Sequence, residues 1–253
     1  MSTLTHPDPL PTRHRRRTTH SRPRPSAGNV LLGFIGELLI TAGVLIGLFV
    51  VWQVYYTDVI GQRAASEHIE QFESGLPEVS SDVAEENREE APVALGEGQF
   101  GVLYVPRWGE DYRMPIAEGT GMDILDGGFV GHYPSTQMPG EIGNFALAGH
   151  RQSQGKPFRY VEELEDGDPL IVRTEDHFYV YRVSSNRIVY PDQVEVLAPN
   201  PFDPEEEPST SVMTLTTCHP LWSIRERWIV HAELDYWTDA DDGRPADLPE
   251  GSL

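Results

Sequence analysis

Cysteine is almost missing from this 253-residue chain: Cys218 stands alone, which excludes any intramolecular disulfide. Positive charge is scarce too, with 19 Lys and Arg against 40 Asp and Glu and a net charge of −21. A surplus of that sign repels polyanions, so nucleic acid is excluded as a partner. No internal repeat is visible, and no second apolar anchor follows the long run near the N-terminus.

The basic residues that are present cluster. Residues 1–29 hold six arginines and one acid, a surplus of +5, so the remainder carries about −26. A short basic segment ahead of an acidic one points to two environments. The leader is rich in Pro, Arg, Thr and Ser without apolar periodicity, and is expected to be a disordered basic tail. Residues 30–56 are apolar except for Glu37, Thr41 and Gln53, and end in Trp52, Tyr55 and Tyr56. That run is long enough for a transmembrane helix with an aromatic belt at its far end. A cleaved signal peptide would have a shorter apolar region and a small-x-small site, whereas Arg63 precedes Ala64 and Ala65 here. An uncleaved anchor is the reading adopted. Positive-inside bias then sets the N-terminus in the cytoplasm and the rest outside the cell membrane.

Residues 57–92 are acidic and helix-permissive, and are expected to be a stalk or linker. From 93 to 237 the chain alternates short apolar runs with Gly, Pro and Asp. The runs at 100–106, 144–149, 169–174, 177–190, 211–217 and 227–236 have strand length and β-branched content. Residues 157–164 are the one good short helix. Many strands with few helices predict a mainly β domain, a closed barrel or a sandwich. Residues 238–253 are expected to be an acidic disordered tail.

Outside a cell membrane an unpaired thiol needs a reason to persist. Cys218 ends an apolar run and precedes His219 and Pro220, so it belongs where a strand yields to a loop. A free thiol is only a few per cent thiolate at neutral pH, so a catalytic one needs a cationic or proton-accepting neighbour. The histidines of the domain are His132, His150, His177, His219 and His231. His219 adjoins Cys218, but consecutive residues of extended backbone face opposite ways. His150 follows another strand, after Gly149. Arg227 opens the strand after Cys218, and a hairpin would return it to the same end; Arg225 is its competitor. A guanidinium there suits an oxyanion or a substrate backbone. The bland alternatives are a buried inert thiol, packing histidines and solvated loop arginines.

The segment TLTTC (214–218), with Arg227 nine residues on, resembles the TLxTC…R signature of sortases, and NFALAGHR (144–151) resembles their histidine-bearing strand. GHYPST (131–136), PGEIGN (139–144) and LTTCHP (215–220) are most similar to class E sortases, with class D next. The resemblance covers residues 93–237 and implies an eight-stranded β-barrel with one or two short helices. It implies that Cys218 forms a thioester with a sorting signal of the LAxTG or LPxTG kind. His150 then exchanges protons with the leaving and incoming amines, and Arg227 holds substrate or oxyanion. Thr217 and Tyr133 fall on the substrate side. The implied partners are secreted proteins bearing a C-terminal sorting signal and a peptidoglycan-precursor amine of a Gram-positive wall. No cofactor or metal is expected, and Glu162, Glu163, Glu165, Asp166 and Asp168 are read as a solvated acidic face. No Asp-Pro-aromatic lid precedes the domain, which disfavours class C-like pilin polymerisation. An L,D-transpeptidase would carry a SHGC-type motif, and a papain-like hydrolase would place its cysteine before its histidine. A non-catalytic surface β-domain remains as the other class.

Overall fold

The computed structural model describes residues 27–253; the expected basic tail lies outside the described residues up to residue 26. The chain divides into two compact units at Phe49/Val50. Helix α1 (Ala27–Glu73) supplies the described part of the first unit and continues into the second. It has no proline, and it stops where Gly75 and Pro77 follow, with the Gly75 N–H on the Phe72 carbonyl (3.2 Å).

The second unit is built on eight strands: β1 (Gln99–Tyr104), β2 (Arg113–Glu118), β3 (Val130–His132), β4 (Gly143–Ala148), β5 (Pro169–Arg173), β6 (His177–Val189), β7 (Ser211–His219) and β8 (Glu226–Asp239). They close into a barrel in the order β1-β2-β3-β4-β7-β8-β6-β5. Closure leaves no open sheet edge. Two of these strands were not among the named sequence runs. β2 contains Pro115, which weakens a strand signal, and β3 has only three residues.

Alternate residues explain why the strands are apolar on both faces. Leu103, Leu170, Val172, Tyr179 and Tyr181 fill one core with Phe145, Leu147, Met213 and Leu215. Their neighbours Val102, Tyr104, Ile171, Phe178 and Val180 form a second core with Ile69, Tyr236 and Leu248. Successive strand residues point to opposite faces, so the second core is the outer face of the barrel and needs a cover.

That cover corrects two expectations. Residues 57–92, read as an acidic stalk or linker with room for a short helix near 57–75, pack on the barrel. α1 runs on to Glu73, with Ile69 2% exposed, and residues 83 and 87 bridge to Arg244 and Trp237. Residues 238–253 are not a disordered tail: Leu248 is fully buried, and Asp247 accepts from Arg182 (2.7 and 2.9 Å) and from Tyr236 (2.8 Å). Glu73 fixes the helix end, accepting from Tyr104 (2.9 Å), Arg113 (3.0 Å) and Arg173 (3.2 Å). Burial pushes the Tyr104 hydroxyl above its usual range, so it stays a donor.

The helix expected over 157–164 is instead a run of tight turns containing one 3₁₀ segment, Val161–Glu163. Its buried residues are Pro157, Phe158, Val161 and Leu164, and the spacing of three among the last three suits a 3₁₀ turn, whose side chains eclipse every third residue. The only other short α-helix among the described residues, α2 (Met122–Leu125), precedes β3.

Candidate active site

Strands β4, β7 and β8 are neighbours in the barrel, and each brings one of the sequence-predicted residues to the same end. β7 and β8 are antiparallel with Cys218 directly opposite Arg227. Directly opposed residues project from the same face of a sheet, about 5 Å apart at Cβ. β4 runs parallel to β7 with Ala148 level with Thr216, so two further residues bring His150 level with Cys218. The Gly149 N–H on the Thr216 carbonyl (3.2 Å) carries that register past the end of β4. Cys218 is half-buried, so its thiol is held by the barrel rim yet open to solvent.

Each ring and guanidinium is held. His150 Nε2 lies 2.8 Å from Asp126 Oδ1, where α2 ends, and the His150 carbonyl accepts from the Phe158 N–H (2.9 Å). The ring is therefore fixed in rotation while about a third of it stays exposed (29%). Arg227 donates through Nη1 to the carbonyls of Ile224 (2.8 Å) and Glu226 (2.9 Å). Nε and Nη2 of the fork remain for an anionic or carbonyl oxygen. Arg225 is exposed on the same loop.

The two residues assigned to the substrate side sit differently. Thr217 is buried (3% exposed) and donates its hydroxyl to the Gly149 carbonyl (2.7 Å), which ties β7 to the backbone just before His150. Tyr133 is half-buried, with its hydroxyl 3.1 Å from Thr216 Oγ1.

Two residues were given no role by sequence reasoning. Asp126 sits 24 positions before His150, and no motif links them; only the fold does. Arg151 closes the quoted NFALAGHR segment, and burial was the missing signal: it is 2% exposed. Its Nη1 is 3.0 Å from His219 Nδ1 and 3.5 Å from the Cys218 carbonyl, and Nη2 donates to Glu162 (2.5 Å). Arginine only donates, so His219 Nδ1 accepts, and its proton lies on Nε2, 3.9 Å from Glu226. The guanidinium also lies 5.6 Å from the Trp228 ring centre. The supposed solvated acidic face is thus partly engaged: Glu162 binds Arg151, while Glu165 and Asp168 bind Arg107 (2.8 and 2.7 Å). Buried or half-buried arginines require such partners.

Helix α1 reaches these loops. Gly61 approaches the backbone of Gln154 and Gly155, and Gly128 approaches Gly61 and Ala65, so closely that a Cβ on either glycine would collide with backbone. Gly128 holds φ +91°, which glycine alone adopts freely. Asp58, 5% exposed, forms an ion pair with Lys156. One helical segment therefore packs against both the loop after His150 and the loop after Asp126.

A thiol, an imidazole and a guanidinium at one end of a closed barrel make a site suited to acyl transfer through a cysteine. The family model described as "Sortase domain" matches residues 103–235. The chain is 36% identical over 244 residues to Sortase SrtE1 of Streptomyces coelicolor, covering 94% of this chain and 66% of that protein. The SrtA sortase from Actinomyces oris superposes with a TM-score of 0.63 at 42% identity, over 67% of this chain and 99% of that one. Sortase E1 from Streptomyces coelicolor, solved with a tripeptide in its active site, gives 0.56 at 36% identity, over 61% and 100%. The chain belongs to the sortase family of cysteine transpeptidases, and its resemblance to class E holds in sequence and in structure.

Proposed function

We propose that this chain is a membrane-anchored sortase that cleaves an LAxTG- or LPxTG-like sorting signal and passes the protein to a cell-wall precursor amine. The observation that carries it is the direct opposition of Cys218 and Arg227 across β7 and β8, with His150 two residues past the end of the adjoining strand β4. The Cys218 thiolate attacks the scissile carbonyl carbon, and Arg227 donates to the oxygen as negative charge develops on it. The C–N bond breaks while protonated His150 gives its proton to the leaving amine, and a thioester remains on Sγ. The incoming amine then attacks that thioester and surrenders a proton to His150. A new amide forms and the thiolate is regenerated.

Residues 30–56 serve as the membrane span. Among the described residues α1 is the one helix long and apolar enough for that role. The N-terminus is cytoplasmic, and the domain from 93 onward lies outside, facing wall precursors and secreted substrates. Thr217 acts by positioning the Gly149–His150 backbone, and Tyr133 lies on the substrate side.

The test uses the full chain in detergent with a quenched LAxTG peptide and an amine acceptor. Cleavage and transfer are expected, and Cys218→Ala should remove both. An inert wild-type chain, or an active Cys218→Ala variant, would defeat the proposal.

A further inference from the structure

The β7–β8 connection carries apolar side chains that stay largely exposed among the described residues. Trp222 is 64% exposed and Ile224 73% exposed. Residues 222–225 line a groove of about 640 Å³ together with residues 152–154 and with Gln53 and Thr57 of α1. Gln53 falls at the end of the apolar run, beside exposed Trp52, Tyr55 and Tyr56. The loop between Cys218 and Arg227 is therefore next to the stretch of helix where an aromatic belt would meet water.

Charge singles out the same place. The groove lining contains no carboxylate and one cation, Arg225, in a chain with 40 acids among 253 residues. At the other end of β8, the lining of another groove includes five carboxylates, Glu85, Glu86, Glu89, Asp239 and Asp242, against the single cation Arg88. A protein this acidic is repelled by an anionic bilayer everywhere except on a face cleared of acids. An indole, a branched aliphatic side chain and an arginine on one loop match the interfacial layer of such a bilayer.

We infer that residues 220–225 form a membrane-surface contact. Trp222 and Ile224 enter the interfacial layer of the bilayer that holds α1, and Arg225 meets its anionic headgroups. The rim bearing Cys218 is thereby held at the membrane surface. This rests on residues 30–56 spanning the membrane.

Cys218→Ala makes the full-length chain cysteine-free, so single cysteines can be introduced by Trp52→Cys, Leu95→Cys, Trp222→Cys or Ile224→Cys and labelled with bimane. Leu95 is 93% exposed and lines a groove with Phe72, about 28 Å further along α1 than Gln53 at 1.5 Å per residue. Each chain is reconstituted into phosphatidylcholine–phosphatidylglycerol vesicles containing shallow nitroxide-labelled lipid. Labels at 222 and 224 should be quenched at least threefold more than at 95, and Arg225→Glu should reduce the difference. Quenching at 52 with 222 and 224 no more quenched than 95 overturns the inference while leaving the anchor intact. No quenching at 52 overturns the anchor and the inference together. A disulfide between two copies through position 222, without lipid quenching, would assign the patch to a second copy and also overturn it.

Discussion

At the scale of single residues, the site depends on how His150 and Arg227 are held. Asp126 sets the rotation of the His150 ring through a 2.8 Å contact. Asp126→Asn should lower kcat/KM by up to about 10²-fold, the scale of a misplaced reacting group. Asp126→Glu should recover part of it, and Tm should change little because both side chains are about a third exposed. Peptide turnover across pH, with a melting curve for each variant, checks this. Arg227→Lys keeps the charge but loses the planar fork, which serves the Ile224 and Glu226 carbonyls and, in the proposed mechanism, a developing oxyanion. Strongly reduced turnover is expected in the same assay, and wild-type rates would move the role to Arg225. That Cys218, His150 and Arg227 meet at one barrel end was legible because each ends or begins an apolar run next to a recognisable motif. Asp126 and Arg151 were not, because their partners lie 24 and 68 positions away in the chain.

At the scale of elements, the part of α1 from Val50 onward belongs to the same compact unit as the barrel. It contributes Ile69 to the outer core, Glu73 to three buried or half-buried partners, and Gly61 to the backbone of the loop after His150. Gly61→Val has no room for its side chain against Gln154 and Gly155, so that loop must move. Turnover should fall by up to about 10²-fold, with a lower Tm, whereas Gly36→Val, where nothing lies within 4 Å, should leave both unchanged. Comparing kcat/KM and Tm of the two variants checks the claim. The long strands were visible from composition, since β6 and β8 are rich in β-branched and aromatic residues. β2 and β3 were not, because their stability comes from pairing on both sides and not from their own propensity.

At the scale of the whole molecule, acidity and a buried imidazole set the response to pH. Thr214 gives its one hydroxyl proton to Asn144 Oδ1 (2.6 Å), so at 2.8 Å it must accept from His231 Nδ1–H. His231 Nε2 is then buried with no acceptor for a second proton. Burial, and secondly the charge of Arg187, push its pKa down from 6.5 to about 4. The unfolded chain takes up this proton at about pH 6.5 and the folded barrel refuses it until about pH 4. The stabilisation is therefore complete above the unfolded value and is lost as pH falls through that window. From pH 7 to pH 5 the loss should be on the order of 2 kcal/mol. Urea titrations at the two pH values should give a smaller drop for His231→Gln than for the parent; equal drops would sink the account.

By itself the sequence determined the solitary thiol, the long apolar helix and the strand-rich domain, and it nominated three candidate site residues, because these are local: composition, run length and spacing along the chain. Only the tertiary structure decided what covers the barrel and what supports the site. The flanking segments read as stalk and tail are acidic enough to be soluble alone, and they are folded because strands apolar on both faces leave an outer surface to be buried. Asp126 and Arg151 acquire their partners only when the chain closes on itself and brings polar groups from distant positions within hydrogen-bond distance.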